Sequence, residues 1–270
     1  MPTNRATTIG VVLVLVALPW LTRPSFGPVA DNRAARIVRA AGFASLYGFL
    51  LVMVGLSRFA SSRFDHFRAF DQANWEADVR AGAIVGAVVV IAVITAYALA
   101  VLALTSRRMS LAPATLTIGA VLGTGTALVV FALTPFGNAP DGVVVIPLVI
   151  VPPAALLAAG VLAGKRAGRD RDGWLAGVCA GGVAALLLTV LTVTMMLLSP
   201  SQVDLKWADP DPNVPHGTDY ELRMSVGDSA VHYEFGLLIG PLAGLVLGGL
   251  GVFSVASGRR EDEIALVRAD

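Results

Sequence analysis

The 270-residue chain is short of charge. Asp, Glu, Lys and Arg make up 14% of it, where a soluble domain carries about 25%. It has one cysteine, which excludes a disulfide scaffold. Its net charge of +1 carries no electrostatic footprint for nucleic acid, so no nucleic-acid partner is expected. At 56% hydrophobic residues it is too apolar to be disordered. Apolar runs take the place of the missing charge, and they follow neither a 2-residue nor a 3.6-residue alternation. That pattern predicts an all-α polytopic membrane protein forming one transmembrane helical domain over residues 1–270.

A bilayer core of about 30 Å needs roughly 20 helical residues. Six charge-free segments reach that length: about 40–57, 81–104, 112–134, 142–164, 174–198 and 235–257. A seventh, about 8–22, is shorter and has Pro19 near its end. Arg5 and the run Ile9–Leu21 fit the first two regions of a signal peptide, but no cleavage region follows: Pro28 stands where Ala30 would need a small residue. The favoured reading is a bundle of seven spans, or six if the first segment is removed.

The loops set the orientation. On one side lie 22–39, 105–111, 165–173 and the tail 258–270, with 13 Lys and Arg; the opposite loops hold seven. By the positive-inside rule the first set is cytoplasmic, which puts the amino terminus outside and the carboxyl terminus inside. Arginine is far commoner than lysine, and Ala, Gly and Val abound, a bias of GC-rich bacterial genomes. The expected location is therefore a bacterial cytoplasmic membrane.

The six long spans contain no ionisable residue, and no Asn, Gln or His; Glu234 stands at the edge of the last. No lysine is available for a retinal Schiff base. There is no His-Glu-x-x-His zinc motif and no phosphate-cradling Gly-x-x-x-x-Gly-Lys-Ser/Thr. No Ser–His pair lies in the spans, which disfavours an intramembrane serine protease. A proton-coupled carrier would need an acid within the bilayer. No catalytic residue and no cofactor are implied. Cys179 reads as a small apolar residue of its span.

Small residues supply packing between membrane helices. Gly236, Gly240, Gly244 and Gly248 recur every fourth residue of the last span, a glycine-zipper face. Gly173, Gly177 and Gly181 repeat the pattern at the start of the preceding span. The favoured reading is packing inside one bundle; the sharper one is a homo-oligomer interface on the last span. Pro147, Pro152 and Pro153 in the fifth span and Pro241 in the seventh each remove a backbone donor, and are expected to kink their helices. Broken helices that line a transport site are the alternative.

Residues 199–234 form an acidic extracytoplasmic loop. Its second half alternates apolar and polar residues around Gly227-Asp228, which reads as a short β-hairpin. His216, Asp219, His232 and Glu234 are weakly spaced metal-ligand candidates, against the bland reading of a solvated loop. In 58–80, Ser62 and Asp65 fit a capping box, and Phe64, Phe67, Phe70 and Trp75 fit an interfacial helix. Asp31 or Asn32 is placed to cap the helix that enters the second span.

The expected function is a non-catalytic accessory, sensor or interaction subunit of a membrane assembly, partnered by the lipid bilayer and by a membrane or extracytoplasmic protein. A small permease component for an uncharged or apolar solute is the alternative. An enzyme using the outer loop's histidines and carboxylates is the weakest reading.

Overall fold

A computed structural model describes residues 2–67, 72–133, 141–198 and 236–255. The elements are α1 (Pro2–Leu21), the single turn α2 (Arg23–Phe26), α3 (Arg33–Phe67), α4 (Gln72–Leu104), α5 (Pro113–Leu133), α6 (Asp141–Ala167), α7 (Asp170–Leu198) and α8 (Gly236–Val255). No strand occurs among the described residues, beyond one antiparallel bridge between Val29 and Ser106.

Five helices have stretches long and apolar enough to cross a membrane: Arg33–Val52, Pro113–Leu133, Val149–Ala167, Asp170–Met195 and Gly236–Val255. The apolar stretches of α1 and α4, Val12–Leu21 and Val88–Leu104, are shorter. The outer surface agrees with an apolar solvent. Leu13, Trp20, Leu51, Val121, Val149, Ile239 and Phe253 are all exposed. A soluble monomer rarely presents so continuous an apolar surface.

Helix α3 is 35 residues long and runs unbroken through Ser62 and Asp65. The capping box therefore does not start a helix there. Once a helix is nucleated, each added residue gains a hydrogen bond, and no Gly or Pro between Leu56 and Phe67 interrupts it. At 1.5 Å per residue α3 spans about 52 Å, well beyond a bilayer core. Residues 58–67 thus extend α3, and Gln72–Arg80 form the start of α4, in place of a separate interfacial helix.

Helices α1, α4, α6 and α8 end at the face where α3, α5 and α7 begin, and most of the described basic side chains lie there. The α6–α7 connection is two residues. Gly168 takes φ +67°, and its N–H donates to the Gly164 carbonyl at 3.0 Å, closing α6 with a left-handed cap. Asn32 caps α3: its Oδ1 accepts from the Ala35 N–H at 2.7 Å.

Helix α7 is the centre of the bundle, packing on α3, α5 and α6 and along α8. A first core brings Leu15 of α1, Leu46 and Phe49 of α3, Ile94 of α4, Leu186 of α7 and Leu237 of α8 together. A second, made of small residues, joins Ala159 and Ala163 of α6 to Ala176 and Ala180 of α7.

Candidate functional site

The glycines form a seam inside the chain. Helices α7 and α8 run antiparallel, with Gly181 against Gly240, Gly177 against Gly244, and Gly248 close to both Gly177 and Gly160 of α6. Gly173 meets the Gly160 carbonyl and Val252. A Cβ placed on Gly173, Gly177, Gly181, Gly244 or Gly160 would fall inside a neighbouring backbone or side chain. Backbones this close exchange weak Cα–H···O contacts along their length. Gly236 is different: no described atom lies within 4 Å of where its Cβ would be. Helix α5 joins α7 the same way, through Gly119 against Ala176 and Cys179 and Gly123 against Ala180 and Val183. Trp174 stacks over Gly249 and meets Phe253 edge-on, ring centroids 6.0 Å apart.

Three of the prolines interrupt no helix: Pro147, Pro152 and Pro153 lie within a continuous α6. Pro241 lies within α8, where its missing N–H deprives the Leu237 carbonyl, four residues earlier, of its helical donor. Tyr97 of α4 supplies the replacement: its hydroxyl donates to that carbonyl at 2.7 Å.

The face where the loops meet is built with side-chain bonds. The Ala30 N–H donates to the Thr105 carbonyl at 2.9 Å, and the Arg107 N–H to the Pro28 carbonyl at 3.0 Å. Arg107 pairs with Asp31, and the Arg108 guanidinium donates to the Ser25 carbonyl. Arg39 donates through Nε to Thr105 Oγ1 at 2.8 Å and through its guanidinium to the Leu102 carbonyl at 3.1 Å. Asp172, in the first turn of α7 and only 1% exposed, gathers the rest. Its Oδ1 accepts from Thr115 Oγ1 at 2.9 Å and from the Ala112 N–H at 3.2 Å, and its Oδ2 accepts from Arg169 Nε at 2.7 Å. An acid in the first turn also suits the positive end of the helix dipole. A buried carboxylate survives because each oxygen is bonded.

Between α3 and α4 on one side and α5, α7 and α8 on the other lies a cleft of about 770 Å3. Its back wall is α7, from Val178 and Cys179 to Leu187; α3 and α4 face it across the gap. Along α4 it runs from Val93 to Leu104, about 16 Å at helical rise. Its rim residues Ile37, Val121, Leu238 and Leu242 are exposed, so the cleft opens sideways. Its described polar side chains are Ser45, Tyr97, Thr124 and Cys179; among the described residues no carboxylate, imidazole, lysine or arginine lines it. The Tyr97–Leu237 bond joins two of its lining residues across the α4–α8 gap.

His216, Asp219, His232 and Glu234, with the expected hairpin, lie outside the described residues. Among the described residues no three His, Cys, Asp or Glu side chains gather as a metal site. The sequence alone does not single out Asp172 among its charges or Tyr97 among its hydroxyls. The available signals were an acid two residues into a helix and a proline that leaves a carbonyl to be claimed. No protein-family model matches the chain, and neither a curated protein nor a solved structure matches it.

Proposed function

We propose that this chain is a non-catalytic interaction subunit of a membrane assembly, crossing a bacterial cytoplasmic membrane seven times with its amino terminus outside. The observation that carries this reading is where the polar groups are spent. Thr95, Thr105, Thr126 and Thr189 bond carbonyls four residues back in their own helices. Tyr97 is committed to the α8 carbonyl, and Asp172 to the loops beside it. The cleft therefore offers shape and apolar surface without an acid, a base or a charged nucleophile among the described residues. Such a scaffold holds helices and partners in register; chemistry needs convergent titratable groups. The orientation rests on the arginine-rich face, which holds Arg33, Arg36, Arg39, Arg107, Arg108, Arg166, Arg169 and Arg171.

The test is native purification in mild detergent, beside a variant whose residues 201–228 are replaced by a Gly/Ser linker. The reading expects a stoichiometric protein partner with the native chain and its loss from the variant. A chain that purifies alone in both forms overturns it.

The cleft favours one second reading, a small permease component for an apolar solute. Protein reconstituted alone would then carry solute across vesicles, and Ala100→Phe, at a residue that lines the cleft, would lower the flux. No flux from the reconstituted chain sinks that alternative.

A further inference from the structure

We propose that the chain is two packed bodies that part along the cleft, with the Tyr97–Leu237 hydrogen bond as the latch on its mouth. The proposal goes beyond either functional reading and holds under both, because it concerns the motion of the cleft's walls and not its occupant.

The helices sort into the two bodies by how they pack. Helices α1, α3 and α4 pack on one another; α5, α6 and α7 do the same, and the glycine seam adds α8 to α6 and α7. The glycines show how tight each contact is. Inside the first body, a Cβ on Gly42 of α3 would lie 2.8 Å from the Val101 side chain of α4, and one on Gly10 of α1 would lie 3.3 Å from that of Ile91. Inside the second, a Cβ on Gly123 of α5 would lie 2.5 Å from the Ala180 carbonyl oxygen of α7, and one on Gly177 or Gly181 would fall closer still to α8. Gly48 and Gly182 face across the junction, and both have room. A Cβ on Gly48 of α3 would be 3.8 Å from Val190 of α7, and one on Gly182 of α7 would be 3.7 Å from the Tyr97 ring of α4. Those are ordinary van der Waals separations. Each body is thus locked by close packing, and the junction between them is not. The cleft of about 770 Å3, a slot about 16 Å long, runs along that junction.

One edge of the junction is a pivot and the other a latch. Helix α3 rests on α5 and α7, and at the basic face Ala35 of α3 shares a core with Leu111 and Leu116. At the opposite edge α4 faces α8, where the Tyr97 hydroxyl donates to the Leu237 carbonyl at 2.7 Å. The Leu237 side chain also joins the core that holds Leu46 and Ile94 of the first body. That contact is apolar, and lipid tails replace it at little cost. The carbonyl is different. Pro241 has removed its helical donor, and hydrocarbon offers no other. The hydrogen bond is therefore what opposes parting, and a hinge motion of the two bodies exchanges a latched slot for an open one.

The experiment uses the full chain in bilayer nanodiscs, with Cys179→Ala to remove the native thiol and spin labels on introduced cysteines, their separations read by pulsed electron paramagnetic resonance. One pair crosses the latch, Val88→Cys on α4 with Ile239→Cys on α8. A second stays within the first body, Val88→Cys with Leu13→Cys on α1. All three positions are exposed. Tyr97→Phe removes the hydroxyl alone. It should raise the ratio of longer to shorter separations in the crossing pair by about threefold to twentyfold, the weight of one interhelical hydrogen bond in a bilayer. The pair within the body should not change. A crossing pair unmoved by Tyr97→Phe overturns the latch. Equal broadening of both pairs overturns the division into two bodies. A second measurement needs neither labels nor a change at Tyr97. Gly48→Ala and Gly182→Ala should unfold at the wild-type temperature, whereas Gly42→Ala and Gly123→Ala should unfold at lower ones. A drop at Gly48 or Gly182 as large as that at Gly123 overturns the loose junction.

Discussion

Two glycines one turn apart on α8 make the sharpest test of the packing. Gly236 and Gly240 belong to the same every-fourth-residue stripe, yet their surroundings differ. A Cβ on Gly240 would lie 2.6 Å from both the Gly181 carbonyl oxygen and the Ala185 Cβ. A carbon–oxygen contact relaxes at about 3.3–3.6 Å, so Gly240→Ala must push α8 from α7 by about 0.7–1 Å. Overpacking of this kind costs about 1–3 kcal/mol. Weak Cα–H···O contacts at the neighbouring Gly177 and Gly244 are lost with it, at about 0.5–1 kcal/mol each. Alanine's better helix propensity returns about 1 kcal/mol. The net expectation is a destabilisation of about 2 kcal/mol, near a thirtyfold shift in the folding equilibrium. Gly236→Ala meets no described atom within 4 Å, so it should be neutral or stabilising by up to about 1 kcal/mol. Reversible denaturation in mixed detergent or bicelles, followed by circular dichroism, measures both. Equal effects of the two substitutions would refute the seam. So would a Gly240→Ala chain of unchanged stability that merely lost self-association, since that outcome would place the stripe between two copies.

Three further outcomes follow from single side chains. Asp172→Ala strands the buried Thr115 hydroxyl and the Ala112 N–H without their acceptor and should cost about 2–5 kcal/mol, with Asp172→Asn intermediate because an acceptor remains; equal stability of Asp172→Ala and wild type in thermal unfolding would sink the clasp. Tyr97→Phe should destabilise by about 1–3 kcal/mol, and by less when Pro241→Ala has restored a helical donor to Leu237; additive effects in that double-mutant cycle would deny the bond its role. Thr192 Oγ1 is buried with no partner among the described residues, so Thr192→Val should raise stability by about 1 kcal/mol, and a drop in melting temperature would count against it.

Much of the helical layout was readable from hydropathy, because lipid forces backbone groups to bond within each segment. The apolar stretches from Pro113, Val149, Asp170 and Gly236 onward follow the apolar runs closely. Local signals did worse where tertiary context or simple continuation competed with them. The Ser62–Asp65 box resembles a helix start but lies inside α3, because a capping residue cannot stop a helix that has already propagated. Among the glycines, spacing identified which positions are small but not which meet a backbone. Gly236 fits the stripe and meets no described atom, whereas Gly119 and Gly123, which belong to neither stripe, pack hard on α7. Asp172 sits in a short charged segment next to two arginines and another acid, and composition cannot tell which of these turns inward. The cleft lies further still from the sequence, since five helices contribute to it and no one of them carries its outline.

The hydroxyl of Tyr97 and the carbonyl it serves are 140 positions apart in the chain. A ribosome adding about 5–20 residues each second takes roughly 7–28 s to cover that distance. Through that interval α4 has already been made and its phenol has no native acceptor, while the α5–α7 portion is still arriving. The slot between them stays unbridged over the same period and open to whatever hydrocarbon surrounds it. Synthesis of α8 both completes the glycine seam and supplies the carbonyl that Tyr97 awaits, so the order of translation leaves the slot accessible until the last helix fastens it.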